Sequence, residues 1–259
     1  MTPRRGRDAA GGEPIIEWTY SALAAHYDSG ADDAPTVLDA AVTAMDLLPG
    51  DAVADVGAGT GKLARPLAER GLVVHAIEPN AEMRTYGLRN TSGLSVDWRD
   101  GRGEQTGLAD RCGRAVWFGS SFNVVDQQAT LQECRRIAAP GGWFCCLWNH
   151  RDLSDPLQAR IEGVIRAPVR DCEYGTRRGD PTATLAAAGL FDDIRPFASS
   201  FSTRMSRAAV MDAWRSHATP ARPAGAALGG ILDAIAAELR SDVIDVPYTT
   251  QGWYARFAG

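Results

Sequence analysis

Short apolar runs punctuate the first 150 residues: 52–56 (AVADV), 72–77 (LVVHAI), a weaker one near 93–97, 114–118 (RAVWF) and 142–148 (GWFCCLW). They are continuous rather than alternating, the pattern of strands covered by helices on both faces. Between them the spacing turns helical, over 60–70 up to Gly71, over 81–89, and over 126–138 ahead of the Pro-Gly-Gly at 140–142. Strands alternating with helices predict βαβ units and a parallel sheet.

The flanks read differently. An amphipathic helix is expected at 15–28 and another at 36–48, leading through Pro49 and Gly50 into the first strand. After the sheet, 153–166 is helical, 167–181 is a polar loop, and 182–189 is a short helix ahead of a strand near 193–203. Helices at 206–217 and 225–240 precede an extended segment at 243–257. Such an excursion after the sheet is built commonly forms a lid or pocket wall.

Composition narrows the class. In 259 residues, 45% hydrophobic, 23% charged and a net charge of -5 describe a soluble globular chain, with no basic face for nucleic acid. Arg4, Arg5 and Arg7 lie in a Gly-rich leader with no apolar run after them, so a cytoplasmic location without signal peptide or membrane span is expected. Five scattered cysteines with no C-x-x-C pair predict neither a metal site nor a disulfide framework, and Cys145 and Cys146 read as small buried hydrophobes.

The chemistry concentrates at "DVGAGTGK" (55–62), where a buried strand meets a helix through glycines that let the chain turn and a ligand approach the backbone. A phosphate-cradling P-loop fails, because Val56 and Leu63 stand where it needs a glycine and a Ser or Thr. A dinucleotide G-x-G-x-x-G would place its third glycine at Lys62, which weakens that reading and leaves it open.

With Glu78 closing the second strand 17 residues after Gly61, the stretch resembles the first two motifs of class I S-adenosylmethionine-dependent methyltransferases. The pattern is nearest to small-molecule enzymes of the type 11 kind. The resemblance covers roughly residues 20 to 150 and implies an α/β, Rossmann-like class I methyltransferase fold. Its sheet is mostly parallel and seven-stranded, with an antiparallel last strand and a helical lid. It divides the chain into a flexible leader at 1–14 and one domain at 15–259, with cap helices at 15–49, a cofactor-binding core at 50–150, and lid insertions at 151–181 and 205–242.

The resemblance also implies site residues. Asp55, Gly57, Ala58, Gly59 and Gly61 would wrap the amino-acid tail of S-adenosylmethionine, and Glu78 would accept both ribose hydroxyls, a task suited to one carboxylate facing a vicinal diol. Pro79 and Met83 in "EPNAEMR", and Gly103 and Glu104 in "GRGEQTGLAD", would meet the adenine. Gly119, Ser120 and Ser121 would lie beneath the sulfonium. Arg114 departs from the family, which usually opens strand four with an acid.

Methyl transfer from a sulfonium needs alignment and, for a hydroxyl or amine nucleophile, a proton acceptor. His150, Asn149, His26 and Tyr27 are the candidate catalytic groups, Tyr27 also for cation-π contact with the sulfonium; His75, inside strand two, reads as structural. Phe122, Asn123, Trp148, Tyr174, Arg177, Arg178 and His217 are candidate substrate contacts, the paired arginines suggesting an anionic small molecule. Three alternatives stay open: cyclisation of the cofactor to azetidine-2-carboxylate and methylthioadenosine, a non-catalytic cofactor binder, and, more distantly, an NAD-dependent oxidoreductase.

Overall fold

The computed structural model describes Asp28 and residues 34–168, 179–216 and 227–259. Strands β1 (Ala52–Val56), β2 (Val73–Ile77), β3 (Val96–Arg99), β4 (Gly113–Gly119), β5 (Ala138–Arg151), β6 (Phe191–Ser206) and β7 (Val243–Phe257) form one sheet of order β3-β2-β1-β4-β5-β7-β6. From β3 to β5 every pairing is parallel, and β7 runs antiparallel to both neighbours. The strand order reverses between β1 and β4, which places a crevice at the carboxyl ends of those strands.

Two helical layers bury the sheet. Helices α1 (Pro35–Ala44) and α2 (Ala64–Glu69) cover one face, where Val53, Val74, Ala115, Trp117, Cys145 and Leu147 point. On the other face α4 (Gln127–Ile137) and the short α6 (Thr182–Ala187) pack over Val56, Val116, Phe118, Phe144, Cys146 and Trp148. Cys145 and Cys146 therefore enter opposite cores, and burial pushes the Cys146 thiol well above its ordinary value. Between β2 and β3, α3 (Ala81–Asn90) is capped by the Asn80 side chain, whose Oδ1 accepts from Met83 N at 3.0 Å.

A third core lies beyond the sheet. Helices α5 (Pro156–Arg166), α7 (Arg207–Ser216) and α8 (Leu228–Glu238) gather Ile161, Ile165, Met211, Trp214, Ile231 and Ile235 against the far ends of β6 and β7. These three helices fall within the stretches 151–181 and 205–242.

Several boundaries moved for identifiable reasons. The helix expected from 60 begins at Ala64, because residues 57–63 remain in the loop after β1. The helix ahead of Pro-Gly-Gly ends at Ile137 as expected, but the strand expected from 142 already begins at Ala138, so 140–142 sits inside β5, whose pairing to β4 shifts between Gly113 and Ala115. A Cβ on Gly142 would stand 2.8 Å from the Ala139 carbonyl oxygen, so only glycine fits that irregularity. Strand β6 outruns the expected 193–203, since it pairs with β7 from Phe191 to Ser206. Arg114, where the family carries an acid, approaches Asp51 with Nε 3.9 Å from Oδ2.

Candidate functional site

The loop after β1 is shaped by left-handed glycines: Gly57, Gly59 and Gly61 have φ of 71°, 58° and 85°. Side chains with a Cβ are disfavoured there. Gly57 N and Ala58 N both donate to Ile77 O, at 2.8 and 3.0 Å, so the loop is hung from the end of β2. A Cβ on Gly57 would lie 2.5 Å from Ser121 Cβ, and Ser121 Oγ donates to Val56 O at 2.6 Å. Ser120 adopts φ 59° and its N–H donates to Leu147 O at 2.8 Å, while Gly119 faces Leu63. The turn after β4 and the loop after β1 thus close against one another, bringing the candidates at 57–61 and 119–121 together.

Glu78 terminates β2 at the mouth of this loop and is 8% exposed. Its Oε2 accepts from Gly59 N and its Oε1 from Asn80 N, both at 2.9 Å. Burial raises its pKa above the ordinary 4.5, while the two N–H donors and Arg84 pull the other way. Arg84 is itself fixed, donating to Glu78 O at 2.6 Å and to Asp100 Oδ2 at 3.2 Å. A carboxylate offers about four acceptor sites, so each oxygen keeps one for a further donor. The arrangement fits a diol: a mostly desolvated carboxylate beside bare main chain.

The remaining cofactor candidates fall around this point. Asp55 is wholly buried near the end of β1, Met83 is buried in the first turn of α3, and Pro79 is exposed beside Glu78. Glu104 Oε1 accepts from Asp126 N at 2.8 Å, and Gly103 packs against Thr130 and Val125, so this pair is anchored on the start of α4. Asn90, which no motif singles out, donates from Nδ2 to Thr60 O at 2.9 Å and to Asp28 Oδ1 at 2.6 Å. It ties the glycine loop to the segment preceding α1.

The expected substrate and catalytic positions separate into two groups. Phe122 is fully buried between Phe118 and Phe144, with ring centroids 5.3 and 5.1 Å away, and Trp148 packs on Trp253 at 6.0 Å while its indole N–H donates to Asn123 Oδ1 at 3.0 Å. Both rings serve the core, because their strand and turn positions point into the α4 face. Asn149 Oδ1 accepts from Thr250 Oγ1 at 2.6 Å, and that hydroxyl accepts from Ala34 N at 3.1 Å, which joins β5, β7 and α1. His150 follows on β5, half-buried and opposite Thr249. His75 Nδ1 sits 3.4 Å from Asp97 Oδ2 inside the sheet, in the structural role expected of it. His26, Tyr27, Tyr174, Arg177, Arg178 and His217 lie outside the described residues.

No helix among the described residues is long and apolar enough to cross a membrane. Residues 54–146 match the family model of a methyltransferase domain. Over 130 residues the chain is 39% identical to an uncharacterized methyltransferase of Mycobacterium tuberculosis, covering 48% of this chain and 53% of that one. Over 132 residues it is 32% identical to a ubiquinone/menaquinone biosynthesis C-methyltransferase of Caulobacter vibrioides, covering 46% and 52%. The chain spans about half the length of these curated relatives. Among solved structures, a protein assigned to the type II methyltransferases of Anaeromyxobacter dehalogenans superposes with TM-score 0.63 at 18% identity, over 88% of this chain and 97% of that one. The Haemonchus contortus phosphoethanolamine N-methyltransferase 2, solved with phosphomonomethylethanolamine and S-adenosylhomocysteine, gives 0.56 at 15% identity, over 92% and 58%. The sheet order, the glycine loop closed by Glu78 and the family match agree: residues 54–146 are a methyltransferase domain of the class I S-adenosylmethionine-dependent kind.

Proposed function

We propose that the protein transfers the methyl group of S-adenosylmethionine to a small molecule that carries an anionic group. The observation carrying this reading is Glu78, a mostly buried carboxylate held by Gly59 N and Asn80 N at the mouth of a left-handed glycine loop. When bound, the cofactor supplies an electrophilic methyl group on a sulfonium; the protein's part is to hold, orient and exclude water. Glu78 would grip the ribose diol, the main chain of 57–61 the amino-acid tail, and Met83 with Gly103 and Glu104 the adenine. The closed turn at 119–121 forms the floor beneath the reacting centre.

Asn149 and His150 stand at the carboxyl end of β5, where open α/β sheets bind their ligands. Asn149 is fixed through Thr250 and suits positioning, whereas His150 is the group assigned to accept a proton from a hydroxyl or amine nucleophile. The named relatives act on different atoms, a C-methyltransferase and an N-methyltransferase, so the acceptor atom is not carried over from them.

Mass spectrometry of the products tests the proposal. S-adenosylhomocysteine formed only when an acceptor is added supports methyl transfer. Methylthioadenosine formed from the cofactor alone would replace the proposal with cyclisation, and tight cofactor binding without turnover on any acceptor would replace it with a binder.

A further inference from the structure

Beyond the cofactor crevice the molecule holds a cation that the cradle does not use. Arg151 ends β5, four residues past Leu147, which pairs with Gly119 at the end of β4. At about 3.3 Å per residue along a strand it stands roughly 13 Å beyond that end. Leu147 and Asn149 precede it on the same strand face, and Tyr248 of β7 is its cross-strand partner. The guanidinium carbon lies 3.9 Å from the ring centroid of Trp214 on α7 and 5.8 Å from that of Tyr248. Phe201 of β6 stacks on Tyr248 at 5.4 Å, closing the aromatic wall.

Among the described residues the charge in this wall has no ion-pair partner within salt-bridge distance. Arg151 is only half-buried as a residue, yet its Nε is shut off from solvent and has no hydrogen-bond partner. Among the described residues, no Asp or Glu forms an ion pair with it. Burial lowers its proton affinity, opposed by Tyr248, whose side chain also hydrogen-bonds it, and by the charge of Glu162. Gln158, one turn before Glu162 on the buried face of α5, is 2% exposed and its Oε1 also lacks a partner among the described residues. A desolvated cation without an anion is strongly unfavourable. Trp214 and Tyr248 compensate part of that cost from the ring faces, which leaves the coplanar N–H donors of the guanidinium edge that Tyr248 does not engage, Nε among them. Those donors match the two oxygens of an oxyanion in bidentate geometry.

We propose that Arg151, set against Trp214 and Tyr248 at the end of β5, is a specificity residue of the acceptor site and receives a carboxylate or phosphate group of the acceptor. The assignment to an acceptor rests on the methyl-transfer reading; the capture of an oxyanion by Arg151 does not. The aromatic wall selects for a planar or apolar body next to that group.

Thermal unfolding of the full chain saturated with S-adenosylhomocysteine, in sodium succinate, sodium benzoate or inorganic phosphate against sodium chloride of equal ionic strength, tests this. At least one oxyanion should raise the melting temperature by about 2–4 °C, the size expected when a ligand at about five times its dissociation constant binds a chain of this length. The shift should vanish in Arg151→Met and shrink in Arg151→Lys, which keeps the charge and loses the planar fork. S-adenosylhomocysteine affinity should stay within about twofold in both variants, because Arg151 lies outside the cofactor cradle. Shifts with succinate or benzoate alone assign a carboxylate, and a shift with phosphate alone assigns a phosphate. An equal shift in Arg151→Met, or none in the wild type with any of the three anions, overturns the proposal. Failure of S-adenosylhomocysteine to bind would instead remove the methyl-transfer reading, and the same anion titration on the protein alone still decides the role of Arg151.

Discussion

Oε2 of Glu78 accepts the backbone N–H of Gly59 at 2.9 Å, across 19 residues of chain, so the acid after β2 and the loop after β1 are parts of one device. The carboxylate that would meet the ribose also holds the glycine loop in place.

Glu78→Ala should therefore act twice, removing the diol acceptor and releasing Gly59. The expected loss is about 1–3 kcal/mol of cofactor affinity, typical for stranding donors at a charged acceptor. Glu78→Gln keeps one acceptor oxygen and should fall between. Calorimetric titration with S-adenosylhomocysteine measures both, and unchanged affinity in Glu78→Ala would remove Glu78 from the site.

Acidification should weaken cofactor binding earlier than it would for an exposed glutamate. Burial lifts the Glu78 pKa above 4.5 in the folded protein, and the protonated acid offers the diol a poorer acceptor. For stability the sign is opposite: the folded state keeps the proton to higher pH than the unfolded chain. The Glu78 contribution is thus most favourable below 4.5, declines as pH rises through the raised folded value, and is constant above it. Affinity for S-adenosylhomocysteine measured from about pH 8 down to about pH 5 should fall in the wild type and stay flatter in Glu78→Gln.

Gly57→Ala should disrupt the crevice floor, because its Cβ would meet Ser121 Cβ at 2.5 Å and its φ of 71° is unfavourable for alanine. Backbone strain alone amounts to about 1–2 kcal/mol. Pairing it with Ser121→Gly should recover the clash component and leave the strain. Chemical denaturation of the single and double variants separates the two, and a double variant no more stable than Gly57→Ala would refute the contact.

Gly87→Ala offers a test of packing away from the ligand. A mid-helix glycine usually costs about 1 kcal/mol relative to alanine, so the substitution would ordinarily stabilise α3. Here the Cβ would overlap the edge of the Trp98 ring at Cη2 and Cζ2, and that indole's Nε1 donates to Thr91 Oγ1 at 3.0 Å. A lower melting temperature is expected, and a rise would show that Trp98 can move aside.

Glu133 should govern acid stability. Burial by itself would raise its pKa, yet hydrogen bonds from Arg136, Thr106 Oγ1 and Thr106 N hold it at about 2. The depressed value means stability is fully present above 4.5 and is lost as pH falls through about 2. Glu133→Ala should cost about 1–3 kcal/mol at neutral pH, the range for stranding buried donors, and flatten the acid limb of a denaturation profile.

The sheet and the glycine loop closed by Glu78 were legible in the chain because each rests on local chemistry. Continuous apolar runs mark buried strands, left-handed turns select Gly57, Gly59 and Gly61, and a strand of fixed rise delivers Glu78 to the crevice mouth. Trp148 was not legible as core, since a one-residue change of strand register reverses which face a ring enters, and Phe122 sits in a one-turn helix too short for any periodicity to orient it. The pairing of Arg151 with Trp214 joins residues 63 positions apart and follows from β5 and β7 extending past the sheet under α7, a geometry with no local signature. The sequence by itself determined the periodicities, the turn glycines and the acid, which short-range sterics and burial dictate. Only the tertiary structure decided which polar groups lost water together, because desolvation depends on every element that closes over a side chain.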